Sequence, residues 1–143
     1  MHINIRSLEL NCDKVNALLY GMDSKPDIIA VSETRVNISN IGTSNTKHTQ
    51  DGDISDSRIH INGYKFFYDD APPNGTPGGA GVYIRDDLTF QKREDLKLRN
   101  VNSEDVWFET HINGKLYVIA VVYRHPRQNI PPFNLNSSAK LSR

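Results

Sequence analysis

The chain of 143 residues holds one cysteine, Cys12, so it can form no internal disulfide and no cysteine-based zinc cluster. That usage fits a reducing compartment, and the expected location is intracellular, cytoplasmic or nuclear. No apolar run approaches the ~20 residues of a membrane-spanning helix, which excludes a membrane partner of that kind. The first residues also lack the apolar core of a secretory signal. Acid is missing from one end: all 17 Asp/Glu lie in residues 1–109, while residues 110–143 carry five Lys/Arg and none. A basic end can help hold a phosphate backbone, although an excess this small reads more simply as a solvated tail. Internal repeats and low-complexity tracts are absent as well. What remains is ordinary: 37% hydrophobic and 24% charged residues with zero formal net charge, enough for one domain with one core.

The opening "MHINIRSL" alternates Ile3 and Ile5 and reads as a short strand. In "NCDKVNALLYGMDSKP", Val15, Leu18, Leu19 and Met22 recur at i, i+3, i+4 and i+7, one apolar stripe of a helix. Asn11 is placed to cap that helix, Asp13 to sit in its positive first turn, and Pro26 to stop it. "DIIAVSE" is almost continuously apolar, as a strand covered on both faces should be. Strand, helix and strand form a βαβ unit, whose two strands run parallel. Parallel strands end on one rim, where open α/β sheets carry their ligands. Asn4 leaves the first strand and Glu33 the second on that rim, so the two side chains can meet. A strand tip usually turns on Gly, Asn or Pro, whereas Ser32-Glu33-Thr34 gathers three oxygen-bearing side chains.

Residues 35–62 are polar and read as a long loop. Its "DGDISD" has calcium-loop flavour, but the third ligand and the glycine are misplaced and no Glu closes it, so a solvated turn is the reading. "GYKFFYDD" and "AGVYIRDD" are strands, the second with Val82 and Ile84 on one face, joined by the turn-rich "APPNGTPGG". "GTPGGAG" lacks the Gly-Lys-Ser/Thr ending of a phosphate loop, and its glycines suit a tight turn and close strand packing. "DVWFETHI" and "KLYVIAVVYRHP" flank Asn113-Gly114, the strongest short-range hairpin signal. Seven apolar residues in the last strand predict a central position, and Trp107 and Phe108 are expected in the core. Arg124 and His125 can face either solvent or a phosphate. After Pro126 neither period persists, which predicts a disordered or frayed end.

Six segments in order, "NIRSL", "PDIIAVSETRVN", "INGYKFFYDD", "GGAGVYIRDDL", "EDVWFETHI" and "YVIAVVYRHP", resemble the endonuclease domain of non-LTR retrotransposons of the long interspersed element type. That domain belongs to the endonuclease/exonuclease/phosphatase superfamily, with deoxyribonuclease I and the apurinic-site endonucleases. The resemblance runs from His2 to about Phe133. It implies an α/β fold, the N-terminal half of a two-sheet α/β sandwich of the deoxyribonuclease I type, truncated. Residues 1–126 would be the partial domain and 127–143 a disordered or divergent tail. Roughly the first sheet and its helix would be present, with the face meant for the second sheet left bare. Glu33 would be the family's metal ligand, holding Mg²⁺ (or Mn²⁺ in its place) at the scissile phosphate. Asn4 would help arrange metal and phosphate, and the Tyr123 hydroxyl would approach the phosphate. The implied partner is the phosphate backbone of DNA, with a reverse transcriptase region in the parent element. On the residues alone, the simpler reading makes Glu33 an ordinary strand-end carboxylate, Asn4 a turn former, and Tyr123 a core aromatic with its hydroxyl at the surface.

The family pattern continues to a Gly-Asp-x-Asn and a Ser-Asp-His segment, neither of which occurs here, and "YRHP" stands where Tyr-Arg-Pro-Pro is usual. A general base must reach the proton it removes. The expectation is therefore a partial Mg-dependent phosphodiesterase, a DNA-nicking endonuclease domain inactive alone. The alternative is a non-catalytic nucleic-acid-binding remnant or a degenerate element product; a phosphoester or lipid-phosphate hydrolase of the same superfamily is a third reading.

Overall fold

A computed structural model describes residues 1–36, 47–48, 54–55, 57–69, 78–98 and 103–125. β1 (His2–Asn4), α1 (Leu8–Tyr20) and β2 (Ile28–Ser32) open the chain. β3 (Lys47–His48) and β4 (Ile54–Ser55) pair as a small antiparallel ribbon. β5 (Tyr64–Asp69), β6 (Ala80–Arg85), β7 (Phe90–Lys92), a 3₁₀ turn at Glu94–Leu96, β8 (Ser103–Ile112) and β9 (Lys115–Arg124) follow. Two larger sheets result, ordered β1-β2-β6-β5 and β7-β8-β9. β1 and β2 are parallel, with Asn4 opposite Ser32, as the strand–helix–strand pattern requires.

Helix α1 starts a turn earlier than its apolar spacing suggested. Ser7 is the N-cap, and the buried face is Leu8, Cys12, Val15 and Leu19, while Leu18 and Met22 are exposed. The extra turn brings in Leu8, which with Cys12 extends the Val15–Leu19 line and rotates the stripe away from Leu18. Asn11 therefore lies inside the helix and does not cap it. Its Nδ2 donates to the carbonyls of Ile5 (3.0 Å) and Ser7 (3.1 Å), tying the helix start to the end of β1.

The layers are helix, sheet, sheet. One face of the four-stranded sheet packs Ile29, Val31, Phe66 and Tyr83 against the helix residues. Its other face sets Phe67, Val82 and Ile84 against Val106, Phe108, Val121 and Tyr123 of the second sheet. The uninterrupted β2 run is thus buried on both faces, with Ile28 and Ala30 partly buried toward the second sheet. Val82 and Ile84 do share a face. The expectation of a first sheet with its inner face bare is corrected: β7, β8 and β9 form a second sheet that covers it. The bare surface is instead the outer side of β9, where Leu116, Val118 and Val122 are exposed.

β9 is also not central. Among the described residues it pairs only with β8, in register from Ser103↔Arg124 to Ile112↔Lys115. Its apolar run arises because inward Val121 and Tyr123 alternate with outward Val118 and Val122, so both faces are apolar without a second flanking strand. The same alternation puts Phe108 in the core and Trp107 on the outer side, half-buried, where its Nε1 donates to Asp105 (2.5 Å). Asn113 (φ 51°) and Gly114 (φ 74°) form the expected hairpin turn, both left-handed as a two-residue primed turn demands. The ends of the polar 35–62 segment contribute to the core through Val36, Ile59 and Ile61. Most of the calcium-like "DGDISD" (all but Ile54 and Ser55), the loop at 71–77 and the 127–143 tail lie outside the described residues.

Gly81 bears out the close packing read from its glycine-rich stretch. A Cβ there would stand 2.7 Å from Phe66 Cε2, 2.8 Å from its Cζ and 3.2 Å from Val31 Cγ2. The Phe66 ring is itself fixed between Tyr68 and Tyr83, with centroids at 5.8 and 4.5 Å. Gly81→Ala is therefore expected to lower unfolding free energy by about 1–3 kcal/mol through overpacking, read as a shifted urea midpoint. A midpoint unchanged by the added methyl would mean that β5 and β6 approach less closely than this.

Tyrosine burial gives the fold an alkaline limit. Tyr83 is 1% exposed and donates its hydroxyl to the Ile59 carbonyl at 2.6 Å. Burial first, then the neighbouring Cys12, pushes its pKa far above the ordinary value, and burial pushes Tyr64 up as well. The unfolded chain releases phenolic protons near pH ~10 while the fold retains them, so the unfolded state binds fewer protons. Stability is then intact below that pH and falls as pH rises beyond it. Urea midpoints followed from pH 8 to 11 should stay level and then drop, and the drop should be shallower in Tyr83→Phe.

Candidate functional site

The parallel pairing of β1 and β2 brings two chain segments out on one edge, and hydrogen bonds lock the segments beyond it. The Ile5 amide donates to the Ser32 carbonyl (3.0 Å), that of Ser7 to Glu33 (2.9 Å) and that of Leu8 to Thr34 (2.8 Å). From the other side, the amides of Thr34 and Arg35 donate to the carbonyls of Gly79 (3.4 Å) and Gly78 (3.0 Å). Glu33 is thus carried on a turn clamped between the β1–α1 connection and the segment entering β6.

Backbone strain concentrates here. Arg6, Ser7, Glu33 and Arg35 all have positive φ (52°, 110°, 55° and 54°), and among the described non-glycine residues only Asn113 of the hairpin shares that property. Such conformations persist where surrounding bonds over-determine them, and they gather at ligand and catalytic sites. At Glu33 the left-handed turn breaks the strand's alternation just where the side chain leaves the sheet.

The structure brings Asn4 and Glu33 together. Asn4 Nδ2 donates to Glu33 Oε1 at 3.0 Å across 29 residues of chain, with Asn4 exposed and Glu33 half-buried. An ionised carboxylate offers about four lone-pair sites, so this bond fixes the Glu33 side chain and leaves acceptor capacity over. The Asn4 amide carbonyl is a further oxygen on the same rim. Oxygen donors at an open edge suit a hard cation such as Mg²⁺, which takes one or two carboxylates and keeps several waters. The residues present therefore fit that ion in donor type, although no group of three or more His, Cys, Asp or Glu stands close enough to hold a metal unaided among the described residues.

Tyr123 comes from the second sheet. β9 packs against β2 and β6, which carries the last inward residue of β9 to the same rim. The Tyr123 pKa is raised, by burial first, then by the negative charges of Glu33 and Glu104, while Arg35 opposes the shift. Asn4, Glu33 and Tyr123 thus form one constellation, with the Arg35 charge on its border. Arg6 and Arg35 are both exposed.

Sequence reasoning passed over Glu104 and read His125 as facing solvent or a phosphate, whereas the structure pairs the two. Glu104 lies opposite Tyr123 in the β8–β9 register and is 7% exposed. Its Oε1 accepts from His125 Nε2 at 2.7 Å, and its Oε2 accepts from the Gly79 amide at 3.2 Å. The His125 ring stands edge-on to that of Tyr123, with centroids 5.4 Å apart. A signal for both was present: Glu104 is in phase with inward Val106 and Phe108, and His125 with inward Val121 and Tyr123. Arg124, out of phase, is exposed.

No protein-family model and no curated protein matches the chain. Among solved structures, it is similar to the AP endonuclease of Leishmania major, with a TM-score of 0.55 and 14% identity over 85% of this chain. The chain spans 38% of the length of that structure. At that identity the likeness concerns the fold: a mixed α/β arrangement of two sheets and one helix, matching part of the deoxyribonuclease I-like sandwich. Among the described residues no helix is long and apolar enough to cross a membrane.

Proposed function

We propose that this chain is the metal- and phosphate-binding part of a nuclease of the endonuclease/exonuclease/phosphatase superfamily, of the non-LTR retrotransposon type, directed at the phosphodiester backbone of DNA. The observation that carries the reading is the Asn4–Glu33 bond on the shared rim of two parallel strands. The fold shared with an AP endonuclease supports a DNA substrate.

Glu33 and Asn4 would hold Mg²⁺, or Mn²⁺ in its place. The ion, when bound, supplies positive charge that polarises a phosphoryl oxygen. Asn4 holds the Glu33 carboxylate in one orientation and spares it a rotamer search at binding. Tyr123, with its pKa raised, stays protonated at neutral pH and can donate its hydroxyl hydrogen to a non-bridging phosphate oxygen. Arg6 and Arg35 put positive charge where a polyanion would arrive. These 143 residues contain no Gly-Asp-x-Asn and no Ser-Asp-His segment, so they supply binding and orientation, and water activation would need groups beyond this set.

The test is an electron-paramagnetic-resonance titration with Mn²⁺, with Mg²⁺ competition, on the wild type and Glu33→Ala, together with duplex-DNA affinity at low and moderate salt. Expected are Mn²⁺ uptake that Mg²⁺ displaces and Glu33→Ala loses, and DNA binding that weakens as salt rises. Equal uptake by both proteins would sink the metal assignment. Salt-sensitive DNA binding without Glu33-dependent metal would favour the second reading, a non-catalytic nucleic-acid-binding remnant. Plasmid nicking by the isolated chain should be at background.

A further inference from the structure

Glu104 and His125 lie outside the Asn4–Glu33–Tyr123 constellation, yet every partner they have leads back to it. One Glu104 oxygen takes the His125 Nε2 hydrogen and the other takes the Gly79 amide hydrogen. Because a carboxylate only accepts, Nε2 must be the protonated nitrogen. The Gly79 and Gly78 carbonyls in turn receive the amides of Thr34 and Arg35, the two residues after Glu33. Gly79 has φ +94°, a conformation that side-chain-bearing residues rarely adopt, and it lets the peptide take Glu104 on one side and Thr34 on the other. On the second route, the His125 ring packs edge-on against Tyr123, which the packing of β9 on β2 carries to the same rim as Glu33.

We infer that Glu104 and His125 form a positioning pair, which sets the Glu33 turn through the Gly79 peptide and the Tyr123 ring through the imidazole, so that the two sheets hold the rim in one geometry. The role deepens the metal-binding reading above and rests on it for its functional consequence. A purely structural pair has a cheaper alternative, because well-packed apolar side chains of similar volume stabilise a fold as well as a buried ion pair or better. Here both carboxylate oxygens are spent on groups one step from the rim. Outer partners of this kind typically change metal affinity about 10–100-fold when removed.

Three variants, Glu104→Ala, Glu104→Gln and His125→Asn, separate the possibilities. Amide hydrogen exchange at Thr34 and Arg35 reads the clamp directly, with Tyr83 and Val82 of central β6 as internal controls. Expected in Glu104→Ala is exchange at Thr34 and Arg35 faster by about tenfold, with β6 amides unchanged, and Mn²⁺ affinity weaker by about tenfold. Glu104→Gln keeps an oxygen for the Gly79 amide and should restore slow exchange at Thr34; it also serves if the alanine variant does not fold. His125→Asn should weaken Mn²⁺ affinity through Tyr123 while leaving Thr34 exchange near wild type.

Unchanged exchange at Thr34 and Arg35, or acceleration only in step with the β6 amides, would overturn the proposal. So would faster local exchange with Mn²⁺ affinity intact, which would leave a clamp without functional consequence. If the wild type takes up no Mn²⁺, the metal reading falls separately, and the pair stands or falls on local exchange alone.

Discussion

Phe108→Ala is expected to lower unfolding free energy by about 3–5 kcal/mol, a large share of the ~5–15 kcal/mol typical of a domain. Phe108 is 2% exposed and lies between the sheets, in one cluster with Phe67, Val82, Ile84, Val106 and Val121. Removing its ring deletes buried apolar surface and leaves a cavity, because rows of β-branched neighbours on both sheets cannot collapse into the space. Val118→Lys, on the outer side of β9, should cost within about 0.5 kcal/mol, since Val118 is already 38% exposed. Urea unfolding of the two variants therefore tests which side of the second sheet faces the first. Similar losses in both would mean that the outer face of β9 is covered, and the inward and outward assignment would need to be reversed or extended.

Periodicity made some of this legible and misled elsewhere for identifiable reasons. The parallel β1–β2 pair followed from an apolar strand after a helical stripe, and with it the meeting of Asn4 and Glu33, which depends on topology alone. The Asn113-Gly114 turn fixed the hairpin, because two consecutive left-handed residues leave few alternatives. Helix α1 was misplaced by a turn because Leu8 and Cys12 sit among polar residues that hid the start of the stripe. β9 was expected to be central because an unbroken apolar run signals two apolar faces, and it does not say whether strands flank the edges or only one face is packed. The second sheet was missed for a related reason: β7 is three residues long and carries no alternation of its own. Glu104, a charged residue in step with a buried face, needs a partner, and His125, read only as facing solvent or a phosphate, supplies it through the β8–β9 register, which no local pattern encodes. The Tyr123 environment also depends on how the sheets stack, which no local pattern encodes.

Glu33→Gly and Glu33→Ala should separate function from strain at one position. Glu33 holds φ 55°, where a side-chain-bearing residue costs roughly 1–2 kcal/mol relative to the right-handed region. Alanine removes the carboxylate and retains that cost. Glycine removes both, and gives back roughly 0.5–1 kcal/mol through the greater freedom of its unfolded chain. Glu33→Gly is therefore expected to be more stable than Glu33→Ala by about 1 kcal/mol in urea unfolding, while both lose Mn²⁺ binding by about a hundredfold or more. Equal stabilities would show that the turn is unstrained in solution, and Mn²⁺ binding retained by either variant would remove Glu33 from the metal site. If both effects appear, a residue that binds through its carboxylate is being kept in a conformation that glycine would fill at lower cost. The clamp from Ser7, Leu8, Gly78 and Gly79 then has a physical purpose: it supplies the bonds that hold a strained carboxylate at the rim, facing a ligand.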